Sequence, residues 1–176
     1  MAGQDLVACI CEGIAEKVIM NKLLDNDMLI FRRNDLLDRE ILKCRTARDF
    51  EDKYLGKGFN QKIKVYRILD SKQENFKLRR AYKDKVEFVD VVTAPEIEML
   101  VIINEGKHQD YLKYKSKVKP SDYCMQNLGI RTVKSDDFLE SYFADVNTLV
   151  TAIKKYKSLH KLSVPHGKKF LADLLK

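Results

Sequence analysis

Residues 6–24 read Leu6-Val7-Ala8-Cys9-Ile10-Cys11-Glu12-Gly13-Ile14-Ala15-Glu16-Lys17-Val18-Ile19-Met20-Asn21-Lys22-Leu23-Leu24, and the change of period inside this stretch decides the fold. Leu6 to Cys11 is a continuous apolar run rich in β-formers, the pattern of a strand buried on both faces. Glu12-Gly13 stops it. From Ile14 onward the apolar residues Ile14, Val18, Ile19, Leu23 and Leu24 recur at helical intervals, with Glu16, Lys17, Asn21 and Lys22 between them. Strand, tight turn, helix is the opening half of a βαβ unit, so a parallel sheet is expected.

Downstream, Asp25-Asn26-Asp27 reads as a turn and Met28 to Phe31 as a second short strand. Asp35 to Leu42 fits either a short helix or an irregular stretch. Thr46 to Tyr54 is predicted helical with Thr46 as its N-cap, closed by Gly56 and Gly58. Lys64 to Leu69 and Val86 to Val92 read as strands, with a helix over Gln73 to Lys83 between them. Pro95 suits the first position of a helix that runs to about Gly106. From residue 108 the pattern is helical throughout, over 109–117, 121–128, 136–144 and 146–159, with Ser121 or Ser135 as caps. The expectation is an α/β fold: a mostly parallel central sheet of about four strands within residues 1–106. A helical C-terminal third, residues 107–176, packs on the same domain.

The 176 residues amount to about one domain, and 45% hydrophobic with 34% charged is an ordinary globular mixture. The net charge of +7 and pI near 9.1 favour an anionic partner, with nucleic acid foremost and a protein partner as the alternative. Lys154, Lys155, Lys157, Lys161, Lys168, Lys169 and Lys176, interleaved with Tyr156 and His160, fit a nucleic-acid backbone or a solvated basic face equally well. Cys9, Cys11, Cys44 and Cys124 lack zinc-site spacing and read as reduced thiols. No G-x-S-x-G or P-loop motif is present. No apolar run approaches the ~20 residues of a membrane span. The start of the chain lacks a basic n-region, so a cytoplasmic protein with no membrane partner is expected.

Ligands of open parallel sheets bind at the carboxyl ends of the strands. The first strand ends in Glu12-Gly13 and the third in Asp70-Ser71, while the fourth leads into Pro95-Glu96-Ile97-Glu98. Carboxylates gathered on one edge repel one another unless a cation lies among them, and a hard divalent ion such as Mg²⁺ or Mn²⁺ answers that need. Gly13 permits a tight turn and close approach of a phosphate. Glu16, one helical turn beyond Glu12, faces the same place. Ser71 and Lys72 beside Asp70, and Arg32 with Arg33 after the second strand, are candidate phosphate or substrate contacts. Lys77, Arg79 and Arg80 read as a solvated helix face.

Cys11-Glu12-Gly13-Ile14-Ala15-Glu16, with Ile19 and Leu23-Leu24 after it, resembles the first motif of Toprim domains. The likeness is nearest to the small stand-alone and OLD-nuclease-like members. Ile68-Leu69-Asp70-Ser71 resembles the second motif, and Ala94-Pro95-Glu96-Ile97-Glu98 resembles a Pro-Glu-x-Glu element of some of those proteins. The likeness covers about residues 5–106. It implies metal-dependent phosphoryl transfer on nucleic acid, of nuclease type, with Glu12 as general acid/base. Asp70 with Glu96 or Glu98 would then be the Mg²⁺ (or Mn²⁺) ligands. Lys72 stands where the family carries a second Asp, so Glu74, Glu96 or Glu98 would have to replace it. The same departure implies the alternative: a catalytically degenerate Toprim-like module that binds nucleic acid or a partner protein, as in phage-defence or mobile-element systems.

Overall fold

Three parallel strands carry the fold: β1 (Leu6–Cys11), β2 (Ile63–Leu69) and β3 (Val86–Val92), hydrogen-bonded in that order. The computed structural model describes residues 6–44, 46–57, 62–70, 76–93, 96–160 and 167–176. Successive strand side chains point to opposite faces, and helices cover both. Cys9, Cys11, Tyr66, Ile68 and Val91 look toward α1 (Ile14–Asp25), α3 (Glu96–Asn104) and α7 (Val146–Leu159). Ala8, Ile10, Ile63, Val65 and Val86 face α2 (Ala47–Tyr54) and the chain that follows β2. Between α3 and α7 lie α4 (His108–Leu112), α5 (Pro120–Asn127) and α6 (Asp136–Tyr142). Their buried residues Tyr111, Tyr123, Cys124 and Leu139 join the same core as β1 and α1.

The α/β class and the parallel sheet agree with the sequence reading, but the strand count does not. Met28–Phe31 forms no strand beyond an isolated bridge between Leu29 and Leu175. Leu29 and Phe31 are buried, so the apolar run reports burial, and a run this short does not specify a strand. Its backbone pairs instead with the C-terminal segment: Ile30 donates to the Leu174 carbonyl at 2.9 Å, and Lys176 donates to Met28 at 3.0 Å.

The helix expected over 73–83 is also different. Residues 71–75 lie outside the described residues, and the structure beyond them is a 3₁₀ turn at Arg80–Lys85. Phe76, Leu78 and Tyr82 from this crossover pack on the α2 face of the sheet. The helix expected over 109–117 is only His108–Leu112. Of the two suggested serine caps, Ser135 accepts from the Phe138 amide at 3.3 Å, whereas α5 starts with Pro120 at its first position and no side-chain cap. Thr46 caps α2 as expected, accepting from the Asp49 amide at 3.1 Å.

Both sheet edges are covered. Leu36 and Leu42 bridge to Val7 and Ile10 along the free side of β1, and Lys169 bridges to Val91 along β3. An exposed edge is a template for pairing with another chain, and these short bridges occupy its backbone groups. The central strand carries two charges: Lys64 is 3.6 Å from Glu87, and Arg67 grips Asp90, its register partner on β3, through two bonds of 2.8 Å. The guanidinium lies over the rings of Phe76 and Phe88, 4.8 and 5.6 Å from their centroids.

Candidate functional site

The carboxyl ends of β1 and β2 are tied together by a side chain. Glu12 follows β1, and its own amide donates to the Ile68 carbonyl at 3.2 Å, which continues the ladder by one residue. Its carboxylate Oε2 then accepts the Asp70 amide at 2.9 Å. The other carboxylate oxygen has no hydrogen bond among the described residues. Glu12 is half-buried, so that oxygen can be reached from solvent.

Glu16 is brought to the same edge by the turn at Gly13. Its side chain folds back so closely that a Cβ at Gly13 would lie 2.1 Å from Glu16 Oε2. Only 2% of Glu16 is exposed. Burial raises its pKa; its own backbone amide opposes that shift, while the nearby Asp70 carboxylate adds to it. The Thr93 hydroxyl, at the end of β3, lies 3.3 Å from Glu16 Oε1 and 3.0 Å from the Leu69 carbonyl. A hydroxyl has one proton to give. It donates to one of these two oxygens at a time, and a bond to Glu16 opposes the effect of burial on the carboxyl's pKa.

The fourth carboxylate comes from the first turn of α3. Glu98 is 7% exposed, and burial raises its pKa. Its Oε1 stands 3.5 Å from the ammonium of Lys134, which is 3.0 Å from Asp70 Oδ1. Its Oε2 is buried with no hydrogen-bond partner. An unsatisfied buried carboxylate oxygen costs about 1–3 kcal/mol or more. Lys134 opens the approach to α6, and burial opposes its charge. The Glu98, Asp70 and Glu16 carboxylates overcome that effect and hold its pKa above the ordinary lysine value.

Glu12, Gly13, Glu16, Asp70 and Glu98 therefore come together, joined by two residues that the sequence reading passed over, Thr93 and Lys134. Thr93 follows a strand in a sequence position that looks like a loop. Lys134 is 64 residues from its partner Asp70, and nothing local marks it. Ser71, Lys72, Glu74 and the Glu96 side chain lie outside the described residues. Arg32 and Arg33 are elsewhere, because the strand expected to deliver them to the sheet edge is absent. Arg33 binds Asp25 at the C-terminal end of α1 and Asn21 at 3.1 Å, and exposed Arg32 is 3.4 Å from Asp27. Arg79 is likewise engaged, by buried Glu51 and by Asp52 at 2.8 Å.

Asp70 and Glu98 pair with the Lys134 ammonium, Glu16 adds to the negative field on it, and one buried Glu98 oxygen has no hydrogen-bond partner; carboxylate oxygens are the donors a hard divalent cation takes. Among the described residues no three acidic, His or Cys groups are gathered in a metal-holding arrangement. A cation at this centre therefore requires Lys134 to release Asp70 and Glu98. No protein-family model, no curated protein and no solved structure matches the chain. No helix among the described residues is long and apolar enough to cross a membrane.

Proposed function

We propose that this protein carries out metal-dependent phosphoryl transfer on nucleic acid, at the centre formed by Glu12, Glu16, Asp70, Glu98 and Lys134. The observation that carries the reading is the buried, unpartnered Oε2 of Glu98 in a group of carboxylates at the carboxyl edge of a parallel sheet. When bound, Mg²⁺ or Mn²⁺ would polarise a phosphoryl oxygen and make a water molecule more acidic. Asp70 and Glu98 are the residues to hold it, with Glu96 as a further candidate. Glu12 is fixed by the Asp70 amide through one oxygen and keeps the other for a proton, the arrangement required of a general base. Lys134, once free of Asp70 and Glu98, supplies positive charge beside the phosphate. The net charge of +7 favours a polyanionic substrate.

The test is Mn²⁺ binding by calorimetry alongside cleavage of single- and double-stranded DNA and RNA. Binding to the wild-type protein, its loss in Asp70→Asn and Glu98→Gln, and cleavage abolished by Glu12→Gln or by EDTA are expected. Absence of Mn²⁺ binding overturns the reading. A second reading, a metal-independent nucleic-acid or protein-binding module of degenerate Toprim type, is favoured by one observation. Lys134 already bridges Asp70 and Glu98, as a cation would. That module would bind nucleic acid in EDTA and cleave nothing when Mn²⁺ is supplied.

A further inference from the structure

A cavity of about 360 Å³ opens next to the carboxylate centre, and Gly13, the residue after Glu12, is part of its wall. It extends along α1, with Lys43 on one side and the first turns of α6 on the other. One wall is apolar. Ile14 is 61% exposed there, and Val18 lies one turn further along the helix. An isoleucine left that open to water beside a cavity suits the flat face of a base or sugar.

The lining carries charge of both signs: Lys17 and Lys43 share it with Asp136 and Glu140, and Glu140 is paired with Lys22. Lys17 and Lys43 are both exposed, and among the described residues neither has an ion-pair partner. Lys22 is paired with Glu140, Lys134 with Asp70 and Lys176 with Asp27. With Glu140 matched by Lys22, two ammonium groups stand against Asp136 alone, a small positive excess that favours an anion. The first turn of α1 does not supply that attraction, because Glu16 has turned its carboxylate onto its own amide. The lysines alone are left to hold a phosphate.

We propose that this cavity is the subsite for the nucleotide flanking the reacting phosphodiester, in a single-stranded stretch. Ile14 and Val18 take the base, and Lys17 and Lys43 take the phosphate. The inference rests on the nucleic-acid reading of the carboxylate centre. A duplex would keep its bases stacked inside, away from such a wall. Across the cavity Asp136 lends only Oδ1, to the Asp137 amide at 3.0 Å, so its other oxygen is available to a base amino group.

Fluorescence anisotropy with a short fluorescein-labelled single-stranded DNA, in EDTA and across a salt series, tests this. Lys17→Gln/Lys43→Gln alters only exposed side chains, as does Ile14→Asp, and circular dichroism checks that each variant folds. The double variant should weaken binding about tenfold and lower the salt slope by roughly 1.4, the loss of two single-strand phosphate contacts. Ile14→Asp should weaken binding with little change of slope. If the variants bind as tightly as wild type, the subsite is refuted while the nucleic-acid reading stands. If Lys154→Gln/Lys155→Gln, on α7, produces the same loss, the effect belongs to a diffuse basic surface and the subsite is again refuted. If the wild-type protein binds no oligonucleotide with or without Mn²⁺, the reading of the carboxylate centre itself fails.

Discussion

Glu16 and Glu98 are forced into low dielectric by the fold around them, and that has a measurable sign. Each has a folded-state pKa above its ordinary value of 4.5, with burial as the first cause. Between the ordinary value and the raised one, the folded state holds more protons than the unfolded state, so stability falls as pH rises through that window. Urea midpoints measured upward from below pH 4.5 should decline. Glu98→Gln should flatten the decline and raise stability at neutral pH by about 1 kcal/mol, the scale of relieving a buried carboxylate oxygen that has no hydrogen-bond partner. The contact at Gly13 gives a second prediction. Its φ of −108° is open to any residue, so only crowding opposes a side chain there. Gly13→Ala should cost about 1–3 kcal/mol by displacing the Glu16 carboxyl. In a double-mutant cycle most of that cost should vanish against Glu16→Ala, and an additive result would show that Glu16 is not what the methyl group meets.

Elements differ in how much of their environment their own residues specify. α6 starts with Ser135 as its cap, and Ser135→Ala should cost about 1 kcal/mol, read from the thermal midpoint. α3 is apolar on all sides, and Ile97, Met99, Leu100, Val101, Ile102 and Ile103 are all buried. Such a helix lies inside a protein. Here it is set between the sheet and α5 and α7, which is how it carries Glu98 to the strand ends. The β2–β3 pair holds the Arg67–Asp90 bridge, with Arg67 almost fully buried and Asp90 partly so. Asp90→Ala leaves the guanidinium without its partner and should cost about 3–5 kcal/mol, the scale of breaking a buried pair. Arg67→Met in the same background should recover most of that loss in denaturant unfolding, because the stranded charge is then gone.

At the scale of the whole molecule, the candidate site exists only because β1, β2, α1, α3 and the segment before α6 meet at one edge of the sheet. A ligand that binds only there stabilises the entire fold by mass action, by about 2.7 kcal/mol at a hundred times its dissociation constant. Mn²⁺ should therefore raise the thermal midpoint of the wild-type protein, and Asp70→Asn should abolish the rise. A rise that survives in Asp70→Asn would place the ion elsewhere.

The switch from an apolar run to helical spacing at Glu12-Gly13 was legible without any structure, because period and turn chemistry are local properties of the chain. So were the parallel sheet, the Thr46 and Ser135 caps, α7 almost to the residue, and the carboxylates of Glu12, Asp70 and Glu98 at or just beyond strand ends. Met28–Phe31 misled, because a short apolar run reports burial without saying which backbone it pairs with. Arg32 and Arg33 followed it to the wrong place, since a residue is only as well located as the element that carries it. Lys134 was beyond reach for a different reason. Its role depends on the field of three carboxylates that arrive from distant parts of the chain, and only packing brings that field to its ammonium.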